Sequence, residues 1–196
     1  ATLVYVRFQY KWLNSTHHKA FDRIEHVFKV FTVLTAGMMA FSHGSNDVAN
    51  AIGPVSTVLD ALYRPDLLMH GDGTTHVPWY LLALGAVGIV SGLAIYGYRI
   101  IETVGKKITY LSPSRSFCAQ LSTSLIVMTA SIFGFPVSTT HILVGAIVGV
   151  GFARGIAALN VDVVKGIFMS WVITLPSGAI LTMVLYQLLT FLEAII

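Results

Sequence analysis

Residues 42–54 read SHGSNDVANAIGP. The apolar runs HVFKVFTVLTAGMMAF (26–41) and VSTVLDALY (55–63) enclose this polar stretch. An apolar segment from Val27 to Leu62 is too long for one straight bilayer crossing at about 1.5 Å per residue. Gly44, Ser45, Asn46 and Asp47 are poor helix-interior residues, and Gly53 and Pro54 follow closely. The reading is two part-helices meeting at a polar break.

A second apolar segment, residues 116–153, is interrupted by FGFPVSTTH (133–141). Gly134 and Pro136 should stop its first part-helix. Pro136 also suits the first turn of the next one. Outside these two segments lie a clean span over 79–101 and a last span from Val163 to Leu192, where Pro176 and Gly178 predict a kink. Polar connections at 63–78 and 102–115 separate the spans. Residues 1–26 read as the end of a preceding helix followed by a solvated linker, and 27–196 as one membrane-embedded half-domain.

Composition agrees. Hydrophobic residues are 55% of the 196 and charged residues 11%, against about 25% charged in soluble domains. Mean hydropathy is +0.76, and long uncharged stretches approach the roughly 20 residues a crossing helix needs. The net charge of +3 does not indicate nucleic acid, because the basic residues follow membrane topology. With a cytoplasmic N-terminal linker and 116–153 folded back as a re-entrant hairpin, Arg7, Lys11, Lys19, Arg23, Lys29, Arg99, Lys106, Lys107, Arg115, Arg154 and Lys165 share one side. Only Arg64 falls on the other, as the positive-inside tendency requires. A single crossing would strand Arg154 and Lys165 outside, so the hairpin is preferred. A plasma (inner) membrane, multi-pass location follows.

Eight of the nine acidic residues read as loop or terminal residues. Asp47 is the exception, and an ionisable residue within an apolar helix marks a functional site by default. Asn50, three residues on, shares its helix face. A carboxylate and an amide oxygen together suit a small cation or a proton relay. The plainer alternative is an N-cap for a second part-helix. Ser138, Thr139 and Thr140 open a part-helix, where free N–H groups and the helix dipole favour an anion. Three hydroxyls add donors without fixed charge, which fits a phosphate; the plainer alternative is again capping. His43 and His141 brace the two breaks. One buried carboxylate and no His pair at four-residue spacing argue against a catalytic zinc site. The lone Cys118 excludes a disulfide framework. Glycines at 85, 88, 92, 97, 145, 149 and 151 mark close helix packing.

GSNDVANAIGP together with GFPVSTTHILVGAIVGVG resembles the paired motifs of the inorganic phosphate transporter (PiT) family, whose signature is GANDVANA. The resemblance covers most of 27–155, with the motifs in family order. It implies an all-α membrane fold of two inverted-topology halves, each with one copy of both motifs. This chain resembles the second half, preceded by part of the joining loop. The resemblance implies cation sites at Asp47 and Asn50, with Asn46 orienting them, and phosphate contacts from Ser138, Thr139 and Thr140. Ser45 replaces the signature's alanine. Many members carry a Glu sixteen residues before the motif proline, where Gln120 stands here. A neutral amide cannot carry a proton, although Gln120 can still coordinate sodium.

The expected function is symport of inorganic phosphate with Na+ or H+, without a resident cofactor and without enzymatic activity. Sulfate or metal-phosphate symport is the nearest alternative. An ion channel with the hairpin tip as its filter is the alternative class. The expected partners are the other transporter half, the lipid bilayer and, by resemblance, a second protomer in a homodimer.

Overall fold

The computed structural model describes the backbone of residues 2–66 and 77–194, and the side chains of 21–66 and 77–194. Most of the 63–78 connection, including His70, Asp72 and His76, lies outside the described residues, as do the side chains of Arg7, Lys11, His17, His18 and Lys19. Among the described residues the chain forms five α-helices: α1 (Thr2–Tyr63), α2 (Trp79–Glu102), α3 (Pro113–Ile132), α4 (Thr139–Phe152) and α5 (Val161–Glu193). A π-helical turn (Thr103–Lys107) follows α2, and a 3-10 turn (Ile156–Ala158) precedes α5.

Burial is inverted relative to a water-soluble domain. Among the described residues, the buried apolar side chains are Ile52, Leu81, Ile108, Ala119, Val127, Val144 and Ile147. The buried polar or charged ones are more numerous: Glu25, Thr35, Ser42, Asn46, Ser56, Asp60, Thr109, Ser112, Thr123, Ser124 and Thr139. Meanwhile Val33, Leu84, Ile132, Leu175 and Met183 stand exposed. Three helical stretches, Phe21–Tyr63, Trp79–Lys107 and Val161–Glu193, are long and apolar enough to cross a membrane, and their most apolar windows are 11%, 11% and 0% buried. Such helices keep their backbone bonds internal and turn apolar side chains to lipid. The polar stripe is then left for helix–helix contact.

That stripe sets the packing of α1 on α3. Ser114 donates its N–H and Oγ–H to Glu25 Oε2 and Oε1 at 2.9 and 2.7 Å. Thr32 donates to the Pro113 carbonyl at 2.8 Å, Thr35 Oγ1 to Gln120 Oε1 at 2.8 Å, and Asn46 Nδ2 to Ser131 Oγ at 3.1 Å. From Thr32–Pro113 through Thr35–Gln120 to Asn46–Ser131 the partner numbers rise together, so α1 and α3 run parallel.

From the end of α3 the chain turns back. Arg115, Cys118 and Ser122 of α3 share an open groove with Val150, Ala153 and Arg154 at the far end of α4, so α4 is antiparallel to α3. The base of this hairpin is tied shut. Thr109 and Leu159 form an isolated antiparallel bridge, Asn160 donates its N–H to the Ile108 carbonyl at 2.9 Å, and Thr109 Oγ1 donates to the Ala158 carbonyl at 2.9 Å. The hairpin thus starts and finishes at one level. Ile108, Ala119, Val144 and Ile147 form its small core, with Val163, Val164, Ile167 and Trp171 of α5 packed on it.

Several expectations need correction. The first polar stretch does not break its helix: α1 is continuous through SHGSNDVANAIGP, with Pro54 inside it. Ser42 donates back along the helix to the Met38 carbonyl (2.9 Å) and Ser45 to the Ser42 carbonyl (3.2 Å), and just beyond the stretch Thr57 donates to the Gly53 carbonyl (3.1 Å). In an apolar medium a backbone bond cannot be exchanged for water, so low-propensity residues stay helical and a proline is tolerated. The backbone of residues 2–26 is helical and continuous with the same helix. Glu25 is not solvated; it is 8% exposed and bonded as above. Asp60, expected near a loop, is also buried and pairs with Arg64 at 3.2 Å. Close packing is found at Gly85, where an added Cβ would lie 3.0 Å from Ile52, and at Gly151, where Leu159 leaves no room for one. At Gly88, Gly92, Gly145 and Gly149 a Cβ would meet nothing within 4 Å in this chain.

Candidate anion and cation site

The second polar stretch does break. Helix α3 ends in a Schellman motif: Gly134 adopts φ +71°, its N–H bonds the Ser131 carbonyl at 3.1 Å, and the Phe135 N–H bonds the Ala130 carbonyl at 2.8 Å. That geometry needs a left-handed residue after the C-cap, which glycine supplies without a Cβ penalty. Pro136 follows as a stop. It is not in the first turn of α4, as its position suggested, because Ser138 is the N-cap there.

The cap puts Ser138 just outside α4, with Thr139 and Thr140 as its first two helical residues. The N–H groups of a first turn have no carbonyl partner within the helix. Ser138 Oγ accepts the His141 N–H at 3.4 Å and lies 2.5 Å from His141 Nδ1. Thr139 is buried and points the other way: its Oγ1 donates to Asp47 Oδ1 at 2.6 Å. That short bond to a carboxylate is of the strong, charge-assisted kind.

From α1, the other carboxylate oxygen, Asp47 Oδ2, lies 3.0 Å from His43 Nε2, one turn back. Asp47 keeps 37% of its side-chain surface open. Asn46 is buried behind it and holds Asn50, whose Nδ2 donates to Asn46 Oδ1 at 3.0 Å and to the Val137 carbonyl at 3.3 Å. Asn50 Oδ1 is the amide oxygen those bonds leave for a ligand. Asp47 caps no helix end, so the N-cap alternative for it is set aside.

Asp47, Asn50, Ser138, Thr139 and Thr140 therefore line one open concavity of about 540 Å³, with Ala51, Pro136 and Val137 completing the wall. A mid-helix carboxylate faces a helix start across it. Gln120 is not brought to this concavity. It bonds Thr35 and lines a separate, apolar cavity with Met39, Ile100 and Leu143. It stands eleven residues before Ser131 on α3, about 16 Å along the axis. One residue behind the site and one in the α1–α3 packing escaped the sequence reading. Ser131, which holds Asn46, carries no local signal. Glu25 sits seven residues before Thr32 on the inward stripe, a spacing that could have flagged it.

The profile of the Phosphate transporter family matches residues 2–182. The chain belongs to the phosphate transporter family. It is 48% identical over 175 residues to a protein of Haemophilus influenzae described as a phosphate permease, covering 89% of this chain and 41% of that protein. A phosphate permease homologue of Thermococcus kodakarensis is 45% identical over 169 residues, covering 86% and 41% respectively. Among solved structures, "The sodium-dependent phosphate transporter" superposes with a TM-score of 0.65 at 45% identity, over 80% of this chain and 38% of that one. The chain thus spans about two fifths of the length of these phosphate transporter family relatives. The family's named members are permeases and transporters, not enzymes.

Proposed function

We propose that this chain forms one half of a secondary transporter that carries inorganic phosphate together with Na+. The observation that carries the reading is the concavity itself, where the Asp47 carboxylate stands opposite a helix start bearing Ser138, Thr139 and Thr140. In this reading the N–H groups of Thr139 and Thr140 and the hydroxyls of Ser138 and Thr140 bind phosphate. Thr139's own hydroxyl is committed to Asp47 and acts by placing that carboxylate. Asp47 and the Asn50 amide oxygen hold the cation, and Asn46 fixes Asn50.

Electrostatics explains the coupling. An anion about 4 Å from a bare carboxylate is repelled by about 4 kcal/mol at an effective dielectric of 20. That weakens binding by nearly three orders of magnitude. A cation on Asp47 removes the penalty, so each ion binds better in the other's presence. The solved relative named for sodium dependence supports Na+ over H+.

We further infer that the α3–α4 hairpin is re-entrant, entering and leaving on the cytoplasmic side. Its tied base and the basic residues near it support this. The site then lies within the membrane, enclosed on its open side by an inverted second half, in the manner of discontinuous-helix transporters. Pairing of two complete protomers is the assembly the family resemblance suggests.

The test is phosphate uptake into liposomes by the complete transporter, with Na+ and proton gradients imposed separately, for wild type and Asp47→Asn. Uptake driven by Na+ and lost in the variant is the expected result. Uptake driven by protons alone would replace Na+ by H+. Flux that ignores both gradients and survives the substitution would overturn coupling and favour a channel. Competition by excess sulfate would overturn phosphate selectivity.

A further inference from the structure

Ser138 has one proton and two neighbours competing for its orientation. Its Oγ already accepts the His141 N–H at 3.4 Å, and His141 Nδ1 lies 2.5 Å away. If Nδ1 is bare, Ser138 gives it the hydroxyl proton and turns a lone pair toward the concavity. If Nδ1 carries a proton, Ser138 accepts it, and its own O–H is free to point outward. A phosphate oxygen only accepts hydrogen bonds when ionised, so the first arrangement repels the ligand and the second binds it. The proton position on His141 therefore decides whether Ser138 is a donor at all.

The ring is not free to swing away from this choice. It stacks on Trp171 of α5 with centroids 3.9 Å apart and planes at 27°. Trp171 is itself braced edge-on by Phe168 at 4.5 Å and packs against the hairpin core. His141 does not line the concavity; it reaches the ligand only through Ser138.

We propose that His141, held in plane by Trp171, is a positioning residue of the anion site: its Nδ1–H bonds Ser138 and directs the serine hydroxyl at the transported oxyanion. The proposal rests on the anion-site reading above and adds a third helix, α5, to the elements that shape it. It gives the stacked pair a role beyond bracing the break.

The experiment is phosphate uptake by the complete transporter in liposomes, reading half-saturation for phosphate and for Na+ separately. His141→Ala should raise the phosphate half-saturation about tenfold, the loss of roughly one hydrogen bond. Na+ half-saturation and maximal rate should stay near wild type. His141→Asn, whose amide can donate to Ser138, should restore most of the affinity. In a Ser138→Ala background, adding His141→Ala should change nothing further, because the two act as one unit. Trp171→Phe, which keeps a ring for His141 to stack on, should raise the phosphate half-saturation less than Trp171→Ala does, and Trp171→Ala should fall between wild type and His141→Ala. Equal impairment of the Ala and Asn variants, or additive effects of Ser138→Ala and His141→Ala, would mean a merely structural histidine and overturn the proposal. Should His141→Ala fail to fold, the Asn variant and the Trp171 pair decide by the same readout. Unchanged phosphate half-saturation in Ser138→Ala would overturn the anion-site reading itself, a result distinguishable because it does not involve His141.

Discussion

The stretches 42–54 and 133–141 are both polar, both contain glycine and proline, and both lie inside apolar sequence, yet only the second interrupts its helix. The difference lies in where the backbone bonds can go. After Ile132, Gly134 takes a left-handed conformation and the Schellman bonds satisfy the end of α3, while Ser138 caps α4. In 42–54 no such caps are assembled, and the polar side chains bond within the helix or across to Ser131, Val137 and Thr139. One stretch therefore contributes side chains from a rigid rod, and the other contributes backbone N–H groups from an opened end. In the proposed function a cation would take the first offering and an anion the second, and the two stretches meet at the concavity.

Substitutions in either stretch test this difference. Asp47→Asn removes the only carboxylate among the residues lining that concavity, and Na+-driven phosphate uptake should fall by about a hundredfold or more; residual coupled uptake above a tenth would relocate the cation. Thr139→Val keeps the helix start but removes the 2.6 Å bond to Asp47. Transport efficiency should drop roughly tenfold to thirtyfold, in keeping with a charge-assisted bond, and Thr139→Ser should recover it. The glycines separate the stretches by sign. Gly134→Ala forces a side chain to φ +71° and should destabilise the protein by about 1–2 kcal/mol, read as a lower thermal midpoint in detergent. Gly53→Ala, inside the continuous helix with open space around it, should stabilise by about 0.5–1 kcal/mol. A loss there would mean that residues 42–54 must open after all. Gln120→Glu should have the smallest effect, less than about twofold in sodium half-saturation, since about 16 Å of helix separates it from the Asn46 contact at Ser131. A pH-dependent change in coupling would bring position 120 into the mechanism.

Much of this was legible in advance. Hydropathy located the long apolar helices, and the residues that line the candidate site were readable from their types: an acid in an apolar helix, and hydroxyls after a proline. The continuity of α1 was not legible, because propensities describe helices in water. Gly44, Asn46 and Asp47 are unfavourable there, but in an apolar medium the alternative to a helical bond is no bond. Glu25 was misplaced for a related reason. Among His17, His18, Lys19, Asp22 and Arg23 it looks solvated, and only the parallel packing of α3 brings the Ser114 N–H to it. Ser131 lies 85 residues from Asn46 in sequence, and no local pattern announces so distant a pairing.

The unbroken course of α1 has a consequence for how this gene can vary in length. A helix advances about 100° per residue, since 3.6 residues make a turn. Deleting one residue between Thr35 and Asn46 would leave Glu25 and Thr35 on their partners and swing Asn46, Asp47 and Asn50 a quarter-turn or more from the hairpin tip. A hinge at the polar stretch could absorb such a slip, and a continuous rod cannot. The position of Asp47 is thus counted from Glu25, residue by residue, and frame-preserving deletions should be excluded from the interval that separates them.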